Sequence, residues 1–260
     1  MAGTLTLCAK IGMGTMGHLT AADKEFFKEN GYLIVRNALG QEAIDAALNR
    51  LWEAMDEDRH DPESWIRKGY RTVPVGSEEV ISGTTYNNRV FAMAEELVGR
   101  DKLNTSGGAG PHINFPDPER KWNEPLGHLD GYHTPTNGVP KGVVGSFTLG
   151  ATVYLSTVEK QGGGFTVWPG SHRIWAEYFR HHDLDSLPGG IAPFDLGPSY
   201  EFTGEAGDVC FWHHQMSHTA GPNCGRNVRI ACISRYRRKD LDQIKFETPD
   251  DMWKYWDGIS

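Results

Sequence analysis

Apolar and polar positions change their rhythm part-way along the chain. Near the start, TAADKEFFKEN (residues 20–30) has the spacing of a short amphipathic helix. Thr20 caps it, Asp23 stands at the capping-box position and Gly31 ends it. YLIVRNAL follows as a short strand. QEAIDAALNRLWEAMDED (41–58) puts Ile44, Ala47, Leu48, Leu51, Trp52 and Met55 on one helical face, and residues 87–98 form another amphipathic helix up to Gly99. From about residue 103 short apolar or alternating runs take over, among them VVGSFTLGATVYLS, FTVWPG, DVCFWHH and VRIACISRY. Gly, Pro and Asn turns separate them, and strands so punctuated predict an antiparallel sandwich or barrel. Such strands need helices to cover an outer face. The expected fold is mainly β with helices, an α+β arrangement in one domain over 1–260, with 1–17 as a loose arm.

Composition narrows the function. The chain has 260 residues and a formal charge of −8, which argues against a broad basic surface for nucleic acid. Its one basic cluster, Arg235-Tyr236-Arg237-Arg238-Lys239, reads as a strand end facing solvent. The four cysteines form no C-x-x-C pair, which fits neither a zinc ribbon nor a disulfide scaffold and suggests a reducing compartment. No apolar run suits a signal peptide or a membrane span, so a cytoplasmic protein without membrane contact is expected.

The histidines change the picture most. There are eleven, and His128, His133, His172, His213, His214 and His218 fall in the strand-rich half. Gly127-His128-Leu129-Asp130 sets an imidazole and a carboxylate two residues apart, on one face if the segment is a strand. Far downstream, Phe211 to His218 is a second histidine-rich strand, and on chemistry alone His213, His214 and His218 compete to complete the set. Two histidines and one carboxylate leave part of a metal's coordination open, as in non-haem Fe(II) oxygenases. Arg229 comes eleven residues after His218, beyond the turn residues Gly221-Pro222-Asn223-Cys224-Gly225. That spacing predicts His218 and Arg229 on neighbouring antiparallel strands. A guanidinium inside a barrel needs an anion, and it can grip a carboxylate with two parallel hydrogen bonds. Thr148 and Thr152 share strand parity and are further cavity candidates.

Four stretches together resemble the phytanoyl-CoA dioxygenase family of Fe(II)- and 2-oxoglutarate-dependent oxygenases. They are Leu19 to Val35, His128-Leu129-Asp130, Gly163 to His172 (GGFTVWPGSH), and Gly207-Asp208 through His218 to Arg229. The resemblance covers residues 19–236. It implies a double-stranded β-helix, a cupin-like jelly roll with N-terminal helices packed on one sheet. It also implies His128, Asp130 and His218 as iron ligands and Arg229 as the anchor of the 2-oxoglutarate carboxylate. The distance to the arginine favours His218 as the third ligand, with His213 behind it or lining the cavity. Pro169 to His172 reads as a structural turn. Asn114 and Thr219 are the implied polar contacts of the cosubstrate, and Thr148 joins them as a candidate on its strand parity. Thr219 enters because family members often have Ser two residues after the distal histidine, where this chain has Ala220.

With Fe(II), 2-oxoglutarate and O2, the implied reaction releases succinate and CO2 and hydroxylates an unactivated C–H bond of a small organic molecule. An intact Asp130 argues against halogenation, and desaturation or cyclisation stays open. Two other readings remain at this point: a divalent-metal cupin-like hydrolase or lyase, and a jelly-roll binding module without catalysis. Trp65, Tyr70, Tyr86, Trp122, Tyr132 and His133, with the loops 116–125 and 181–198, are candidates for the cavity wall or lid. A monomer or homodimer is expected.

Overall fold

The computed structural model describes residues 11–12, 19–86, 88–133, 139–141, 146–183 and 190–259. Helix α1 (Ala21–Asn30) is closed at both ends as its sequence requires. The Thr20 and Asp23 side chains satisfy each other's backbone N–H groups in a capping box, and Gly31 takes the left-handed conformation (φ 76°) after its last turn. Strand β2 (Tyr32–Val35) is shorter than YLIVRNAL, because Arg36 turns away to pair with Asp208 and Asn37 adopts φ 50°. Helix α2 (Gln41–Glu53) stops before residue 58. Beyond it Glu57 is drawn to Arg71, and the Asp58 and Asp61 side chains accept from His60 and Glu63 backbone N–H groups. Strand β3 (Tyr70–Thr72), the short helix α3 (Glu79–Ser82) and α4 (Arg89–Val98, capped by Asn88) complete the first half.

The second half supplies most of the strands. These are β4 (Gly110–Asn114), β5 (Leu149–Tyr154), β6 (Phe165–Val167), β7 (Tyr200–Phe202), β8 (Val209–His213), β9 (His218–Ala220) and β10 (Arg229–Tyr236). Helix α5 (Ser171–Phe179) follows β6, and the one-turn α6 (Leu241–Ile244) follows β10. Of the run VVGSFTLGATVYLS only 149–154 is strand, and 142–145 lie outside the described residues. Of the expected arm over 1–17, Ile11–Gly12 (β1) pair in parallel with Ile34 and Val35, and the rest lie outside the described residues.

The strands form two sheets. The large one runs β1-β2-β8-β5-β10-β4-β3 and the small one β7-β6-β9. Apart from β1–β2, the pairings are antiparallel. The architecture is a double-stranded β-helix with helices on the outer face of the large sheet.

Strict alternation sorts the large-sheet residues between two cores. Leu33, Val35, Ile113, Leu149, Ala151, Val153, Phe211, Ile230 and Cys232 point outward, into a core shared with Phe27, Ile44, Leu51, Val90 and Leu97 of the helices. Tyr32, Ile34, Tyr154, Trp212, Ala231 and Ile233 point inward and meet Phe165, Val167 and Phe202 of the small sheet. Both faces are buried, which is why these strands read as near-continuous apolar runs. Gly150 is required on the inner face: a Cβ there would lie 2.0 Å from the Trp212 ring.

Two expectations are corrected by the topology. Phe211 to His218 is not one strand: it turns after His213, leaves the large sheet and re-enters the small one at His218. His218 and Arg229 are therefore on different sheets, facing each other across the sandwich rather than side by side. A turn signal marks where a chain reverses but not which sheet it joins next.

Candidate active site

His128 and His218 are tied by their backbones before their side chains meet. An isolated antiparallel bridge joins them, His128 N–H to His218 O at 3.0 Å and His218 N–H to His128 O at 3.1 Å. Residues 128–130 are thus a bridge and a turn, not the strand expected. Asp130 nevertheless arrives beside both rings. Its Oδ1 lies 3.5 Å from His128 Nε2 and its Oδ2 3.3 Å from His218 Nε2. One ligand atom from each of the three lies within 4.8 Å of the others, and they are the one such group of His, Cys, Asp and Glu among the described residues.

Protonation states suit a cation at this point. Burial opposes ionisation of Asp130, yet His218, His128 and the Arg235 guanidinium outweigh it and hold its carboxyl well below the usual range. Burial pulls His218 below its ordinary value, against the pull of Asp130. Its Nδ1 lies 2.9 Å from Met216 O, so the neutral ring donates there and leaves the Nε2 lone pair facing Asp130. Trp212 and Phe165 pack on the same ring, with centroids 4.2 and 5.4 Å away. The stretch Pro169 to His172 supports the turn that delivers it. Ser171 Oγ accepts the Ser217 N–H and donates to Met216 Sδ, while Trp175 Nε1 donates to Ser217 Oγ.

Arg229 opens β10 and points between the sheets, 1% exposed. Its Nε donates to Gly163 O at 2.9 Å and one Nη to His112 O at 3.2 Å. Among the described residues no Asp or Glu pairs with it, so burial lowers its pKa, with the Tyr154 and Tyr70 hydroxyls acting the other way. The Gly-rich turn before β6 makes this approach possible. Gly163 sits at φ +79°, and a Cβ there would lie 2.5 Å from Asn114 Nδ2. His112 lies between the arginine and the triad. Burial, Arg229 and Arg235 bring its pKa down to about 4, and it also senses Asp130 and His218. Tyr70 hydrogen-bonds to its Nδ1.

The other sequence candidates separate. Asn114 is paired in register with Arg229, and its amide donates to Gly221 O. Thr219 and Asn114 line one cleft of about 560 Å³ with Tyr70 and His128, and Asp117, Arg120, Asn123 and Pro125 of the loop 116–125 form its rim. Thr148 lies elsewhere: its hydroxyl accepts the Arg238 N–H, and it faces a cavity beneath residues 241–256. Thr152 holds the Trp212 indole N–H. His213 is on the outer face of β8, the parity opposite to Trp212, stacked on Trp256 and against His172. His214 joins the cavity of Thr148. Neither ring reaches the triad. Trp65 and Tyr86 are core residues, Tyr70 borders the site, and residues 184–189 of the expected lid lie outside the described residues.

Arg235 was missed. The basic run reads as solvent-facing, yet Arg235 Nε and Nη2 hold Asp130 Oδ2 at 2.7 and 2.5 Å. The parity 229, 231, 233, 235 carries the signal: if Arg229 points inward on β10, so does Arg235.

Residues 27–231 match the family model described as phytanoyl-CoA dioxygenase (PhyH). The chain belongs to the PhyH family. A probable phytanoyl-CoA dioxygenase of Caenorhabditis elegans is 22% identical over 246 residues, 86% of this chain and 77% of the relative. Among solved structures, the epimerase SnoN in complex with Fe3+, alpha ketoglutarate and nogalamycin RO superposes with a TM-score of 0.59. It is 22% identical, over 83% of this chain and 82% of that one. HygX of Streptomyces hygroscopicus, with nickel, 2-oxoglutarate and hygromycin B bound, gives a TM-score of 0.54 at 16% identity, over 85% and 88%. With the triad assembled in this fold, the PhyH protein is an enzyme of the non-haem iron, 2-oxoglutarate-dependent oxygenase class. No described helix is long and apolar enough to cross a membrane.

Proposed function

We propose that this PhyH protein hydroxylates an unactivated C–H bond of a small organic substrate, coupled to conversion of 2-oxoglutarate and O2 into succinate and CO2. What supports the reading most is one juxtaposition. A two-histidine, one-carboxylate cluster faces, across the sandwich, a buried guanidinium that no acid among the described residues neutralises.

The donor set fits Fe(II). Two imidazoles and one carboxylate can bind one face of the ion and leave the rest open. Bound there by His128, Asp130 and His218, iron supplies the oxidising chemistry that removes hydrogen from carbon. The protein does the remainder. Met216 O fixes the His218 tautomer. Trp212 and Phe165 keep water from the buried side of that ring. Arg229, fixed by Gly163 O and His112 O, receives the far carboxylate of 2-oxoglutarate. Asn114 and Thr219 border the same cleft as polar contacts for cosubstrate or substrate. A metal-dependent hydrolase could use the same three ligands but has no use for an uncompensated arginine.

The test is succinate formation from 2-oxoglutarate with Fe(II) and ascorbate, alongside a mass-spectrometric screen of small metabolites for products 16 Da heavier. The expected result is metal- and 2-oxoglutarate-dependent succinate in the wild type, abolished in Asp130→Ala. A protein that binds Fe(II) but neither binds nor consumes 2-oxoglutarate overturns the reading.

A further inference from the structure

Arg235 presents two edges, and only one is used. Its Nε and Nη2 lie on Asp130 Oδ2. Among the described residues no acceptor meets Nη1. The guanidinium is steadied from below by the Phe147 and Trp212 rings, 5.9 and 6.0 Å from its carbon. It is partly open to solvent, with 40% of its side chain exposed.

Arg235 also lines a cleft of about 420 Å³ distinct from the one at Asn114 and Thr219. Asn104, Ser106, Gly107, Gly108 and Arg237 share its wall, and no carboxylate lines it. Two of its glycines allow backbone to pass close: a Cβ on Gly107 would lie 2.4 Å from the Tyr86 hydroxyl and one on Gly76 2.8 Å from Ala109 O. Arg237 is already engaged, by Ser146 O and the Asp242 carboxylate, so in a protein with a formal charge of −8 Arg235 is the cation this cleft offers, with no acid among the described residues of its wall.

Charge balance points the same way. With iron and cosubstrate in place, Fe(II), Asp130, the doubly charged 2-oxoglutarate and Arg229 cancel. Arg235 is the cation left over, and a partly shielded guanidinium is best satisfied by an oxyanion in bidentate contact.

We propose that Arg235 brackets the site: one edge fixes the Asp130 carboxylate, and the other receives an oxyanion group of the primary substrate, a carboxylate or a phosphate ester, in the glycine-walled cleft. The inference rests on the oxygenase reading and adds a substrate class to it. Holding the anion on the residue that also holds a metal ligand fixes the distance from that group to the iron. The oxidised carbon is then selected by its spacing from the anionic end.

The experiment uses the full chain loaded with Co(II), which is paramagnetic, and saturated with 2-oxoglutarate. Inorganic phosphate and acetate are the probes, followed by nuclear relaxation of the phosphorus and of the methyl protons. The wild type is expected to show saturable relaxation enhancement with at least one probe, and which of the two tells phosphate ester from carboxylate. Arg235→Gln should weaken that binding about 10- to 100-fold. In the same variant 2-oxoglutarate affinity should stay within about twofold, since Arg229 is untouched. Arg235→Lys keeps a charge for Asp130 but cannot present two planar edges, so it should retain Co(II) and still lose the probe. Arg229→Gln should do the reverse, losing 2-oxoglutarate and keeping the probe. No saturable enhancement in the wild type, or the same enhancement in both Arg235 variants, overturns the assignment and leaves the oxygenase reading standing. Failure of Co(II) or 2-oxoglutarate to bind the wild type overturns that reading, and this inference with it.

Discussion

A proton has little hold on Asp130. Its burial is outweighed by His218, His128 and Arg235, so the carboxylate stays available to a cation through the neutral and mildly acidic range. His218 likewise stays neutral below its ordinary pKa, so proton competition for its Nε2 sets in only at lower pH. Arg229 is the residue whose function is easiest to isolate, because its present partners are two backbone carbonyls that survive substitution. Arg229→Gln should raise the KM for 2-oxoglutarate about 10- to 100-fold, the worth of charge-assisted hydrogen bonds, while leaving metal affinity nearly intact. Steady-state kinetics with varied 2-oxoglutarate and a metal titration check both halves. His128, Asp130 and Arg229 stood out in the sequence as an H-x-D and a downstream arginine, which require no knowledge of register, whereas His218 was singled out from His213 and His214 with the help of the family resemblance. Arg235 was not, since a run of basic residues looks alike whether its first member faces solvent or the interior.

Among the elements, β8, α5 and the C-terminal turns enclose a second group of histidines, apart from the metal cluster. His172, His213 and His214 are packed there with Trp253 and Trp256, and each histidine keeps a buried ring nitrogen without a partner. Burial brings His172 and His214 down to about 4 and His213 well below its ordinary value. Their folded-state pKa values are thus below the unfolded one of about 6.5. The unfolded chain then binds more protons in the window between those values, so stability is complete above pH 6.5 and falls as pH drops toward 4. Each of the first two rings should cost about 2 kcal/mol at pH 5. Melting curves should show a Tm lower by on the order of 10 °C at pH 5 than at pH 7.5. His213→Phe keeps the stacking on Trp256 and removes one titrating ring, so its stability should fall less steeply with acid. The sequence suggested β8 as a strand but not that His213 and Trp212 divide between its faces. Nor did it show that the chain changes sheets after His213, which is why Thr148 and His213 looked closer to the iron than they are.

For the whole molecule, the metal centre is the place where the two sheets are stitched together. His218 belongs to the small sheet, Arg229 to the large one, and His128 and Asp130 to the segment between β4 and β5. Ligands that bind all of these restrain the sandwich from opening. Co(II) with 2-oxoglutarate at 100 times their dissociation constants should add about 2.7 kcal/mol or more and raise Tm by roughly 5–10 °C, reversed by EDTA. The effect should vanish in Asp130→Ala. The helix-then-strand order was readable from periodicity alone, and the outer core confirms it: Ile44, Leu51, Val90 and Leu97 lie against the strands they were expected to cover. The backbone rung between His128 and His218 has one more consequence. Two of the three ligating side chains owe their mutual placement to main-chain atoms, which every amino acid except proline supplies in full. Neighbouring stretches such as 116–125 can therefore change in length and character without disturbing the spacing of those two imidazoles. A scaffold so arranged can take on new substrates by rewriting its rim while its oxidising centre is inherited unaltered.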